Sequence, residues 1–155
     1  MGEPGEWAVA YHGTSGDAVA PIVKDGLRQP RTRDEKRHGA LHGEGVYLTP
    51  HAEVAAEFAR AVPIDSGDGV RHFQVVFQCR VRPGAYSCHR DPLYGDVFVV
   101  GSEADVRPYG MLLGECSADG VPSQAWSLEK GRVAARSIPR AAPAGRFWDE
   151  FWDEV

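Results

Sequence analysis

The stretch Tyr11-His12-Gly13-Thr14, answered downstream by Gly43-Glu44-Gly45-Val46-Tyr47-Leu48-Thr49, decides how this chain is read. The first motif closes the apolar segment Trp7-Ala8-Val9-Ala10 on a turn, Gly13-Thr14-Ser15-Gly16. The second opens a new apolar run directly after a pair of glycines. Both patterns predict strands, over Trp7–His12 and Val46–Leu48, that end or begin on glycine. Between them Ala18, Val19, Ile22 and Val23 recur at helical spacing, which predicts a helix capped by Asp17 and stopped at Gly26. Residues 28–43 are charged and rich in Gly and His, with no apolar period. They predict a long loop, and such loops in small domains usually serve function.

Farther along, Pro50 starts a second predicted helix with Ala52, Ala55, Ala56, Phe58 and Ala59 at helical spacing. Ser66-Gly67-Asp68-Gly69 is a turn. Phe73–Val81 alternates and is rich in β-branched and aromatic residues, so it predicts a strand ended by Pro83-Gly84. Asp96–Val100 and Val106–Leu113 predict two more strands, and a short element is expected near Ala125–Leu128. Many strands and few helices give an α+β class rather than an alternating parallel sheet. At 155 residues and 43% hydrophobic, the chain suits one domain over 1–155.

A net charge of −5 provides no global positive field for nucleic acid, although Arg28, Arg31, Arg33, Lys36 and Arg37 cluster locally. The 3 cysteines are irregularly spaced without a Cys-x-x-Cys, which argues against a disulfide framework or a structural zinc site, so no metal is expected. No basic and apolar leader opens the sequence, and no apolar run is long enough to span a bilayer, so an intracellular compartment and no membrane partner are expected, a secreted effector being the alternative. The tail Arg146–Val155 interleaves Phe147, Trp148, Phe151 and Trp152 with acids. It reads as an amphipathic last helix packed on the domain, or as a docking segment for a partner.

The paired motifs resemble the catalytic domain of the poly(ADP-ribose) polymerases, of the diphtheria-toxin-like class with a His-Tyr-Glu triad. His12-Gly13-Thr14 is similar to that family's His-Gly-Ser/Thr, and Gly43-Glu44-Gly45-Val46-Tyr47 to its Gly-Lys-Gly-Ile-Tyr. The resemblance implies an ADP-ribosyltransferase fold, two small packed antiparallel or mixed β-sheets flanked by short helices. It implies NAD as co-substrate, cleaved at the nicotinamide–ribose bond. Such cleavage develops positive charge on the ribose, so the site must hold the nicotinamide, orient the hydroxyls and supply negative charge.

By the same resemblance, His12 contacts a ribose hydroxyl, Gly13 and Thr14 approach the donor, and Tyr47 stacks on nicotinamide. Counting on, Phe58 falls at a second stacking tyrosine, and Ala55 replaces a serine that bonds the carboxamide. Asp96 falls at the triad glutamate, with Glu103 and Asp105 as fallback carboxylates. The 28–43 loop falls where the family has its donor loop, which brings Arg28, Arg31 and Arg33 to the pyrophosphate. Replacement of the glutamate is associated with single rather than repeated transfer. The expected activity is therefore mono-ADP-ribosylation of a protein or nucleic-acid acceptor. The alternatives are a non-catalytic NAD- or ADP-ribose-binding or protein-interaction module, an NAD glycohydrolase, and a relative of the RNA 2′-phosphotransferases. That last family shares the Tyr-His-Gly-Thr segment but wants an Arg-x-His-Val-His-Leu run where this sequence has Gly43–Leu48.

Overall fold

The computed structural model describes residues 6–29, 42–65 and 67–124. The predicted element near Ala125–Leu128, the aromatic tail and most of the 28–43 loop lie outside the described residues. The elements run β1 (Ala8–Gly13), α1 (Gly16–Asp25), β2 (Val46–Leu48), α2 (Ala52–Glu57), β3 (Val62–Asp65), β4 (Val70–Val81), β5 (Tyr86–Asp91), β6 (Gly95–Val100) and β7 (Val106–Cys116). A 3-10 turn at Glu103–Asp105 leads into β7. The class is α+β, and every strand pairing is antiparallel.

Two sheets form. In the first, the long β4 is the hub: it pairs with β1, β3 and β7, and its register shifts at Gln78/Cys79 against β7. The second has the order β2-β6-β5. Residues Tyr11 and Thr49 join them through an isolated bridge, with Tyr11 N–H to Thr49 O at 2.7 Å and Thr49 N–H to Tyr11 O at 3.0 Å.

The alternation along each strand places the core. Ala10, Val75, Phe77, Cys79, Val81 and Val106 of the first sheet meet Val46, Leu48 and Val100 of the second, together with Val19, Ile22, Val23 and Leu27 from α1 and its exit. Burial of such side chains is the main favourable term in a domain of this size. A second cluster forms on the opposite face of the first sheet, where Ala52, Ala55, Ala56 and Ala59 of α2 and its exit lie over Tyr11, Val76 and Leu112. Alanines here let the short helix approach the sheet closely.

Several expectations are corrected. Helix α1 begins two residues earlier than Asp17 suggests: Ser15 is the N-cap and Asp17 sits in the first turn, where a carboxylate still favours the helix dipole. Gly26 does stop it, at φ 83°, with its N–H on Ile22 O at 2.8 Å. Strands β3 and β5 were not predicted. β3 carries Pro63 and β5 is the polar Tyr-Ser-Cys-His-Arg-Asp, so neither shows an apolar alternation to read. Among the described residues no helix is long and apolar enough to cross a membrane.

Candidate active site

Three of the motif residues are first of all structural. A Cβ placed on Gly13 would lie 1.8 Å from Ala55 O and 3.1 Å from Ala59 N, so only glycine lets α2 seat against the end of β1. A Cβ on Gly45 would lie 2.7 Å from Val100 O, so the entry to β2 needs glycine for the same reason. Thr14 is buried, its N–H reaching Val75 O at 3.4 Å while its carbonyl accepts from Arg60 N–H at 3.1 Å.

His12 follows Tyr11 off the inter-sheet bridge, and its Nδ1 lies 2.8 Å from the backbone carbonyl of Tyr47. A carbonyl only accepts, so Nδ1 carries the proton and Nε2 the lone pair. Burial pushes the His12 pKa below its ordinary value and so favours the neutral ring, against the smaller, opposing pull of the Tyr47 carbonyl. A neutral imidazole of fixed tautomer, with an acceptor nitrogen turned from its anchor, suits a ligand hydroxyl.

The Tyr47 hydroxyl is engaged at the mouth of the loop. It donates to Gly43 O at 2.7 Å and accepts from the His42 N–H at 3.1 Å. His42 in turn stacks on His89, with ring centroids 4.6 Å apart, and its Nε2 lies 3.4 Å from Asp91 Oδ2. His89 Nε2 lies 2.9 Å from Ser87 Oγ. Register explains the grouping. Tyr47 opposes Val99, and Ser87, His89 and Asp91 oppose Val99, Val97 and Gly95, so all four polar side chains stand on one face of the second sheet.

Residues 5–104 match the model of the poly(ADP-ribose) polymerase catalytic domain. The chain belongs to that family. No curated protein matches it. Membership carries NAD as the family's substrate and ADP-ribosyl transfer as the implied activity.

Of the three residues expected to form a triad, the structure brings His12 and Tyr47 together and leaves Asp96 apart. Asp96 opposes Arg90, pairs with it at 2.8 Å, and stands with Phe98 and Val100 on the face of the second sheet opposite to Tyr47. The fallback carboxylates are engaged as well. Asp105 pairs with Arg82 at 3.0 Å, and Glu103 accepts from the Gln29 N–H at 2.8 Å. Phe58, at the end of α2 and expected as a second stacking ring, meets the Tyr94 ring from the β5–β6 turn at 4.8 Å. Ala55 spends its carbonyl facing Gly13. Arg28 pairs with Asp25 at 3.1 Å, one helical turn back, while Arg31 and Arg33 lie outside the described residues.

Sequence reasoning missed Asp91, His89 and Tyr94, and left His42 as a loop residue. Their grouping depends on β5, whose polar sequence hides it. The Asp91-Pro92-Leu93-Tyr94-Gly95 turn was the available signal, because Asp and Gly bound a tight turn between strands. Among the described residues no group of His, Cys, Asp or Glu is placed to hold a metal ion. An open groove between α2 and the Asp119-Gly120 turn, lined by Glu57, Arg60 and Gln74, shares no residue with this constellation.

Proposed function

We propose that this domain, taken as a single catalytic unit over 1–155, transfers one ADP-ribose from NAD to a protein or nucleic-acid acceptor and releases nicotinamide. The observation that carries this reading is the His12 Nδ1 to Tyr47 carbonyl contact at 2.8 Å, which couples the two motifs and presents Nε2 as an acceptor. In this reading His12 accepts a ribose hydroxyl, Tyr47 offers its ring face to nicotinamide, and Phe58 with Tyr94 flanks it. Gly13 and Thr14 form the floor of the donor site, and Arg28, Arg31 and Arg33 serve the pyrophosphate.

Asp96 enters as the third member by the resemblance alone, since it stands on the sheet face opposite to Tyr47 and pairs with Arg90. A carboxylate one methylene shorter than glutamate and turned from Tyr47 in this way favours single transfer, because it activates a second sugar poorly.

The test is nicotinamide release from NAD by the purified chain, beside His12→Ala, with labelled NAD to follow the acceptor. Release abolished by His12→Ala, with label on an acceptor that does not extend into polymer, supports the reading. Release without any labelled acceptor points to a glycohydrolase. Thermal protection by NAD without release points to a binding module.

A further inference from the structure

The reading above uses Tyr47 as an aromatic platform, yet Tyr47 is a half-buried residue on a strand of three residues, next to a glycine-flanked turn. Short strands fix a side chain poorly, so something must hold this ring. Its hydroxyl is held by the Gly43 carbonyl and the His42 N–H, both in the turn that opens β2. That turn meets β5 through His42, which lies flat on His89 and reaches the Asp91 carboxylate.

Asp91 is built for this. Its Oδ1 accepts from Leu93 N–H at 2.8 Å and Tyr94 N–H at 3.1 Å, which fixes the carboxylate and turns Oδ2 toward His42. Those amide bonds hold its pKa below the usual value, with a lesser contribution from His42, so the anchor keeps its charge at neutral pH. Asp91 is 8% exposed, whereas Arg90 and the Asp96 carboxylate pair with each other on the other face. Among the described residues the ionisable groups around His42 are Asp91 and His89 from β5, the Tyr47 hydroxyl from β2, and exposed Glu44 in the same turn.

We infer that Asp91, acting through His42, is a positioning residue for Tyr47: it fixes the turn whose backbone holds the Tyr47 hydroxyl and so sets the ring on which nicotinamide is bound. The inference rests on the donor-site reading for its consequence on NAD, and on the described contacts alone for the placement of the ring. Asp91 touches no reacting atom. Its effect falls on donor binding rather than on bond cleavage.

The test is a double-mutant cycle on the full chain with Asp91→Asn and His42→Ala. Asn keeps an oxygen for the Leu93 and Tyr94 amides, so the turn is retained while the charge is lost. Each single variant is expected to raise the KM for NAD by about five-fold or less, the ceiling for a partly exposed ion pair, with kcat little changed. The double variant is expected to match the singles rather than multiply them, because the two residues act as one unit. A merely structural Asp91 would instead give independent, multiplicative effects, and that result overturns the inference.

A ligand-free arm separates this outcome from failure of the functional reading. The Tyr47 ring resonances in solution NMR are expected to shift in the same direction in Asp91→Asn and His42→Ala. If the unaltered protein releases no nicotinamide, the function fails while these shifts still decide the inference. Unmoved Tyr47 resonances in both variants overturn it. Should Asp91→Asn unfold, His42→Ala against His42→Gln reads the same coupling, since each leaves the Asp91 turn intact.

Discussion

Gly13→Ala separates two reasons for glycine at this position, close approach of a ligand and close approach of a helix. The added methyl would meet Ala55 O at 1.8 Å and the Ala55 carbonyl carbon at 2.8 Å, both backbone atoms that no rotamer change can move. Relief requires α2 to withdraw by more than an ångström. Interiors do not stretch to absorb such a shift, so the contacts beneath the helix are lost together. Those contacts bury Ala52, Ala55, Ala56 and Ala59 against Tyr11, Val76 and Leu112. At about 0.8 kcal/mol per buried methyl-sized group, losing the four alanines costs about 3 kcal/mol. For a chain of this length that corresponds to about 10 °C in Tm. Urea and thermal denaturation followed by circular dichroism measure it directly. A Gly13→Ala protein with unchanged Tm and abolished NAD binding would refute the packing argument and return Gly13 to a purely ligand-facing role.

Other expectations follow from the same contacts. Tyr47→Phe removes a hydroxyl that makes two hydrogen bonds, and should cost about 1–2 kcal/mol in denaturant unfolding while keeping a ring for stacking. His12→Ala should abolish nicotinamide release with the circular dichroism spectrum preserved. Because burial depresses the native His12 pKa from 6.5, its contribution to stability is complete above that value and is lost as pH falls through the native one; unfolding titrations should show this slope, and His12→Gln should remove it. Asp96→Ala should lower transfer more than NAD affinity, read as kcat against KM, and unchanged transfer would remove Asp96 from the triad. Arg90→Ala, by freeing that carboxylate, should not reduce transfer.

What the sequence disclosed and what it hid have physical causes. Tyr11–Thr14 and Gly43–Tyr47 were legible because each couples a strand signal to a glycine demanded by a close backbone approach, and both glycines do face backbone carbonyls. β4 was legible from a twelve-residue strand's alternation. β5 was not, since Ser87, His89 and Asp91 line one face of it and Cys88 and Arg90 the other, which leaves an edge strand with no apolar period. Missing β5 concealed the pairing that sets the face of each side chain on β6. A linear count can align Asp96 with a glutamate, but only the register reveals that it stands on the face opposite to Tyr47 and opposes Arg90. The packing reason for Gly13 was likewise hidden from sequence, because helix α2, which fills the missing side chain's volume, arrives from residues far downstream.

The Tyr11–Thr49 bridge gives the molecule an uneven mechanical character. Within the first sheet β4 is stitched to β7 over ten register pairs, whereas across the seam between sheets the backbone contributes two hydrogen bonds, at 2.7 and 3.0 Å. His12 adds a third link beside them, through its own side chain to the Tyr47 carbonyl. Under the proposed function, one histidine thus serves as a rivet and as the donor-facing group at once. Any ligand that tightens its grip on His12 also tightens the seam, so occupancy of the site and rigidity between the sheets rise together.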